Sequence, residues 1–227
     1  MPPRARAWRF PFTNPRPWIW AAAAVALAWG FVEVAQELAG RAAAGRLLAS
    51  DVAILERVAG LRAGWITGGA FDVTALGSVV VVTLLTLASV VVLLARGARA
   101  DALQVVAAAV GSAAWVGLLK HVLGRDRPTA VPRLVEVAGF SFPSGHTLTA
   151  AAVYATLAIV VGRRLPAGWA RGALLALTLL LVGAVGASRV YLGVHYPSDV
   201  LAGLLSGLAW AFLLNALRLW ASPPPPV

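Results

Sequence analysis

The chain has 227 residues, 60% of them hydrophobic and only 12% charged, which excludes an ordinary soluble domain and leaves several runs near the roughly 20 apolar residues that cross a bilayer as helix. Its formal charge of +10 comes without a basic run or an RNA-reading motif; that argues against nucleic acid as a partner and fits arginines that orient membrane spans. The absence of cysteine excludes disulfides, thiolate metal sites and cysteine nucleophiles.

Residues 1–17 read as a cytoplasmic N-terminal segment, with Arg4, Arg6, Arg9 and Arg16, several prolines and no acid. Trp18–Ala35 is the first expected span, with Trp18 and Trp20 suited to the interface. A basic stretch before an apolar run also describes a signal peptide, but this run exceeds a usual signal core and reads as a retained anchor. Glu33 near its outer end reads as a carboxylate reaching the interface. In the mixed segment 36–75, Leu47, Leu48, Val52, Leu55, Val58 and Leu61 recur at roughly helical spacing, with Arg46, Asp51, Glu56, Arg57 and Arg62 between them. That pattern predicts an amphipathic helix on the membrane surface, interrupted by Gly64-Trp65 and Gly68-Gly69, serving either as a plain connector or as a cover over a site. Leu76–Ala95, Ala102–Leu119, His146–Val161, Ala170–Ala187 and Asp199–Leu217 are the remaining spans. The expected fold is therefore all-α: one membrane domain of six transmembrane helices over 18–220, then a disordered Pro-rich tail over 221–227.

Arginine placement sets the expected topology. With the N-terminus inside, the inner segments hold Arg4, Arg6, Arg9, Arg16, Arg96, Arg99, Arg163, Arg164, Arg171 and Arg218 against one acid, Asp101. The outer segments hold nine cations and, with Asp199 at the start of the last span, seven acids, so the consistently basic short inner turns favour N-in, C-in. Three polar islands then fall on one outer face: Lys120–Pro128, Ser141–His146 and Ser188–Asp199.

The first island offers Lys120, Arg125 and Arg127 at a membrane surface. Arginine's fork matches phosphate oxygens and lysine supplies a compact charge, although cations at span ends also serve as interfacial anchors. Lys120 is the one lysine among 19 basic residues. In the second island Pro143 suits a helix start and Ser144 a cap, Gly145 admits a close ligand, and His146 falls in the first turn of a helix whose free N–H groups attract anions. In the third, His195 and Asp199 are four apart, so a helix beginning near Pro197 turns the carboxylate back toward the imidazole and leaves the other ring nitrogen free to attack. A metal site is the weaker alternative, because three histidines, no cysteine and no HExxH pattern supply few ligands.

Taken together the islands resemble the type 2 phosphatidic acid phosphatase superfamily of integral-membrane lipid phosphate phosphatases. Its motifs Lys-x6-Arg-Pro, Pro-Ser-Gly-His and Ser-Arg-x5-His-x3-Asp occur in order as Lys120…Arg127-Pro128, Pro143-Ser144-Gly145-His146 and Ser188-Arg189…His195…Asp199. The resemblance implies that Lys120, Arg127 and Arg189 bind phosphate oxygens, helped by Ser144 and the Gly145 backbone. It implies His195 as a nucleophile forming phosphohistidine, Asp199 as its orienting partner, and His146 as the acid that protonates the leaving oxygen. It carries no role onto His121, Arg125 or Asp126, which occupy variable motif positions. It implies neither cofactor nor metal, a plasma-membrane location with the site on the extracytoplasmic face, and a lipid phosphate substrate within the bilayer. Undecaprenyl diphosphate is the preferred expectation, with phosphatidylglycerol phosphate or phosphatidate as alternatives. A non-catalytic lipid or anion transporter is the rival of a different class; it predicts charged or broken spans near mid-bilayer, whereas the key charges cluster at span ends.

Overall fold

In a computed structural model the chain is described over residues 17–221, and every regular element there is an α-helix. The basic lead-in before residue 17 and the proline tail after residue 221 lie outside the described residues. In chain order the helices are α1 (Pro17–Ala43), α2 (Ala49–Gly60), α3 (Gly64–Ala75), α4 (Val79–Ala95), α5 (Arg99–Leu123), α6 (Gly145–Gly162), α7 (Trp169–Tyr191) and α8 (Pro197–Trp220). By length and apolarity α1, α5, α6, α7 and α8 are long enough to cross a membrane. Helices α3 and α4 meet that test only as a pair, bent by 46°, so the spans number five, or six if the bent pair is one.

Three boundaries differ from the sequence expectation, two for a tertiary reason and one for a local cap. Helix α1 runs past residue 35 to Ala43 because Val34, Ala35 and Leu38 pack with Leu119, Phe142 and Leu148. Segment 36–75 holds the end of α1, then α2 where a helix over Leu47–Leu61 is expected, then α3, in which Gly68 and Gly69 continue the helix instead of breaking it. Glycine is a weak helix former, but α3 is held by packing, Ala70 lying against Tyr191, Leu192 and Val194. Helix α4 starts at Val79, where the Ser78 hydroxyl accepts from the Val81 N–H at 3.3 Å, an N-cap that ends the preceding bend.

The bundle centres on α6, whose Leu148, Ala150, Ala151, Ala152 and Val153 are all fully buried. Helix α8 approaches it through Gly203, Gly207 and Ala211, spaced by four on one face. A Cβ on Gly203 would lie 2.7 Å from the Ser144 carbonyl oxygen, and one on Gly207 2.4 Å from that of Leu148. Small residues at this spacing let membrane helices touch backbone to backbone. The resulting register brings the Ser144 N–H to the Asp199 carbonyl at 3.0 Å, joining the starts of α6 and α8. At the other end Asp101 accepts from Arg163 (3.0 Å) and Arg164 (2.5 Å), and Arg163 also reaches Gln104 and Asn215, both at 2.7 Å. These bonds fasten α5, α6 and α8 there, so the end carrying the three islands is polar for a different reason.

Candidate active site

Each island is delivered by the end of a helix. Lys120 sits in the last turn of α5, which stops at Gly124 in the left-handed conformation (φ 54°) and turns into Arg125–Arg127. Arg189 lies within the last turn of α7 rather than beyond it. The chain then reverses at Gly193, whose φ is +75° and where a Cβ would lie 2.9 Å from the Pro132 carbonyl oxygen. No β-carbon fits that conformation and that approach together. This turn sends His195 back under the ends of α5 and α6 before Pro197 opens α8.

His195 is 3% exposed. Its Nε2 lies 3.4 Å from Nη1 of Arg127, and its Nδ1 3.4 Å from the Ser141 hydroxyl. A guanidinium only donates, so Nε2 is the ring's acceptor and Nδ1 carries the hydrogen. Burial pushes the His195 pKa below the ordinary histidine value, and the charges of Arg189 and Arg127 push the same way. The nearby carboxylate of Asp199 opposes them without prevailing. The imidazole is thus held neutral, with an unprotonated Nε2 turned toward Arg127.

Asp199 is fully buried in the first turn of α8. Its Oδ2 accepts from the Tyr196 N–H at 2.9 Å and from the Ser141 hydroxyl at 2.5 Å, while Oδ1 accepts from Arg125 at 2.6 Å. Oδ2 is 3.7 Å from His195 Nδ1, too long for a hydrogen bond. The aspartate therefore reaches the imidazole through Ser141, which donates to the carboxylate and lies within reach of the ring N–H. The spacing of four residues does turn the carboxylate toward the ring, but leaves it one hydroxyl short of direct contact.

Two cations, Arg127 and Arg189, lie within electrostatic reach of His195, and Lys120 lies within reach of both. Arg127 is buried and tied to main chain, donating to the carbonyls of Gly139 (2.9 Å), Ala138 (3.0 Å) and Val194 (2.9 Å). Arg189 is buried, donates to Thr74 at 2.8 Å, and has an Nε without a partner among the described residues. Lys120 is partly buried. None of the three has a carboxylate within ion-pair distance among the described residues. All three, with His195, lie within electrostatic reach of His146 at the start of α6.

Helix α6 begins at Gly145, with Ser144 in the N-cap position. The Ser144 hydroxyl does not cap the helix; it accepts from the Thr147 hydroxyl at 3.0 Å. Its carbonyl takes the first helical bond, from the Leu148 N–H at 2.9 Å, so the N–H groups of Gly145, His146 and Thr147 have no backbone acceptor. Unneutralised cations, free N–H groups and a positive helix end together form an anion site.

The supporting residues carry little sequence signal. Ser141 is an ordinary serine ahead of a proline, Thr74 belongs to a helix read as connector, and Asp51 looks like any acid among apolar neighbours. Yet Asp51 is 2% exposed and binds both Arg125 (2.8 Å) and the Ser198 N–H (2.9 Å). Arg62 likewise clamps the α2–α3 junction over the site end, donating to the Tyr191 carbonyl (2.9 Å) and to that of Pro132 (2.9 Å).

Comparison with known proteins agrees with this arrangement. The family model of the PAP2 superfamily matches residues 101–222. A phosphatidylglycerophosphatase B of Bacillus subtilis is 40% identical over 99 residues, 43% of this chain and 48% of that protein. A lipid A 1-phosphatase of Rhizobium johnstonii is 39% identical over 109 residues, covering 44% and 40%. A decaprenylphosphoryl-5-phosphoribose phosphatase of Mycolicibacterium smegmatis is 35% identical over 103 residues, covering 42% and 51%. The chain thus spans about half the length of the curated relatives it matches. Among solved structures, a transmembrane PAP2 type phosphatidylglycerolphosphate phosphatase from Bacillus subtilis superposes with a TM-score of 0.78 at 28% identity, over 88% of this chain and 97% of that one. With a family model covering more than half of its residues and its motif side chains gathered at one end of the bundle, the chain belongs to the PAP2 superfamily.

Proposed function

We propose that this protein is an integral-membrane lipid phosphate phosphatase acting through a phosphohistidine on His195. The observation that carries the proposal is the gathering of Lys120, Arg127 and Arg189, which lack carboxylate partners among the described residues, around His146 at a helix N-terminus, with His195 buried alongside. Phosphoryl transfer asks of a protein mainly positioning and charge stabilisation, and this arrangement offers both.

Phosphate oxygens bind Lys120, Arg127, Arg189 and the free N–H groups at Gly145 and its neighbours, with Ser144 alongside. Nε2 of His195 forms a bond to phosphorus as the bond from phosphorus to the lipid oxygen breaks. His146 gives its proton to that oxygen, a step worth on the order of 10²–10⁴ in rate. Asp199, through Ser141, holds the ring and balances the charge that develops on it. Water then attacks phosphorus, the nitrogen–phosphorus bond breaks, and His146 recovers a proton from the water as inorganic phosphate leaves. The cations supply the charge that a metal would otherwise bring, so turnover proceeds with a chelator present.

The basic short turns at the other end of the bundle support a site on the extracytoplasmic face, and the substrate proposed is a phosphate whose tail remains in the outer leaflet. Undecaprenyl diphosphate is the substrate proposed. Phosphatidylglycerol phosphate is the second reading, favoured by the match to a phosphatidylglycerolphosphate phosphatase over 97% of that chain. Phosphate release by purified protein, measured with chelator over undecaprenyl diphosphate, phosphatidylglycerol phosphate and phosphatidate, tests the proposal. Release that needs an added divalent metal would sink the metal-free mechanism. Binding of these lipids without any release would point to a transporter.

A further inference from the structure

The islands hold four cations, and they divide into two kinds. Lys120, Arg127 and Arg189 have no carboxylate partner among the described residues, whereas Arg125 has two. Its Nη1 donates to Asp199 Oδ1 at 2.6 Å and to the Ser198 hydroxyl at 2.8 Å. Its Nη2 donates to Asp51 Oδ2 at 2.8 Å, and its guanidinium carbon lies 4.1 Å from the centre of the Tyr196 ring. Asp51 in turn grips the start of α8, accepting from the Ser198 N–H at 2.9 Å and from its hydroxyl at 2.5 Å. The side chains of Arg125, Asp51 and Asp199 are 9%, 3% and 0% exposed. Burial works against the charge of Arg125, but Asp199 and Asp51 outweigh it and raise its pKa above the ordinary value.

A cation committed in this way has little left for a phosphate. What it controls is the second carboxylate. Asp199 has two oxygens with separate duties: Oδ1 faces Arg125, while Oδ2 faces Ser141 and the Tyr196 N–H. Without a partner on Oδ1 the carboxylate can turn about its last torsion and exchange the two. A guanidinium fork braced by a second acid prevents this, because its planar donors fix direction as well as distance.

We infer that Arg125, braced by Asp51 of α2, is a positioning residue that holds Asp199 so that its Oδ2 stays aimed at Ser141 and His195. The inference rests on the catalytic reading of His195 and Asp199 given above, and it makes α2 a working part of the site rather than a connector.

The test compares wild type with Arg125→Met, Arg125→Lys, Asp51→Asn and His195→Ala. It measures kcat and KM for a lipid phosphate, and the inhibition constant for inorganic phosphate. Arg125→Met is expected to lower kcat roughly 10- to 100-fold, the range for groups that orient a catalytic side chain. KM and phosphate inhibition are expected to stay within about twofold, since binding equal in ground and transition states is untouched. Arg125→Lys recovers part of kcat, because an ammonium meets one carboxylate but cannot fork between two. Asp51→Asn lowers kcat in the same direction by less, and adds little to Arg125→Met, as members of one network do. Should Arg125→Met fail to fold, the Lys and Asn variants carry the same comparison. Weaker phosphate inhibition and raised KM at unchanged kcat would make Arg125 a phosphate ligand and overturn the inference, as would wild-type kcat in Arg125→Met. Wild-type kcat in Asp51→Asn would remove the brace. If wild type itself releases no phosphate from any lipid, the catalytic reading fails and takes the inference with it; an active wild type beside an unimpaired Arg125→Met defeats the inference alone.

Discussion

Ser141→Ala isolates the link between the aspartate and the nucleophile. The hydroxyl donates to Asp199 Oδ2 at 2.5 Å and lies 3.4 Å from His195 Nδ1, while the direct Asp199–His195 distance is 3.7 Å. The loop itself is held by main chain, the Ser141 N–H donating to the Arg125 carbonyl at 2.7 Å, so the substitution removes one oxygen without releasing the segment. A hydrogen bond to a charged group is worth about 1.5–3 kcal/mol. At about 1.4 kcal/mol per tenfold, its loss from the transition state slows turnover roughly 10- to 150-fold. The effect belongs in kcat, since Ser141 touches neither the free N–H groups of α6 nor the three phosphate-facing cations. Single-turnover formation of the phosphoenzyme from a lipid labelled in its phosphate, counted as protein-bound label that survives base and is lost in acid, reads that step directly. A Ser141→Ala enzyme whose phosphorylation rate stays within about twofold of wild type would refute the relay. It would mean that Asp199 closes on His195 directly.

Three further outcomes follow from the same geometry. His195→Ala is expected to abolish phosphoenzyme formation and to lower kcat by at least about 10⁴-fold, as loss of a nucleophile does; turnover within tenfold of wild type would remove His195 from the mechanism. The nucleophile must be neutral, and burial holds the His195 pKa below its ordinary 6.5, so activity is retained as pH falls past 6.5 and is lost only when the pH drops through that lowered value. The acid limb of kcat/KM, corrected for ionisation of the substrate phosphate, therefore lies below pH 6.5; a limb at or above it contradicts the burial argument. Gly207→Val puts a Cβ 2.4 Å from the Leu148 carbonyl oxygen and 2.7 Å from the Ala151 Cβ, an overpacking expected to cost about 1–3 kcal/mol and to lower the midpoint of thermal unfolding in detergent. An unchanged midpoint would show that α6 and α8 separate without cost.

Much of this arrangement is legible in the sequence because it depends on local rules. Apolar runs mark the long helices, and alternation of span direction puts the Lys120, His146 and Arg189 islands at one end whatever the packing. What escapes is what depends on contacts between distant segments. Gly68 and Gly69 read as breaks, yet α3 continues through them because Ala70 packs on Tyr191, Leu192 and Val194. Asp51 has the spacing of a surface acid, and only its approach to Ser198, 147 positions away, turns it inward. Ser144 has the composition of a helix cap, but its hydroxyl is taken by Thr147. Spacing does bring His195 and Asp199 to one side of the chain; it does not show that Ser141 comes between them.

The ionisable groups also explain why this end of the bundle suits an anion and not simply water. Within the three islands and their ion-pair partners the buried or partly buried charges are Lys120, Arg125, Arg127 and Arg189 against Asp51 and Asp199, an excess of 4 − 2 = 2 positive charges before any proton on His146 is counted, the nearby Asp126 being exposed. A phosphate monoester carries about −1.5 to −2 at neutral pH. Such an excess is unfavourable in a site of reduced dielectric until an anion enters. The two carboxylates do not spread that compensation evenly: both are bound to Arg125, on the Asp199 side of His195, and leave the other three cations bare. The imidazole thus has a guanidinium, that of Arg127, on its Nε2 side and a carboxylate, that of Asp199, on its Nδ1 side. The proposed separation of the four cations into three that bind phosphate and one that holds the aspartate accounts for this polarity, with α2 supplying Asp51.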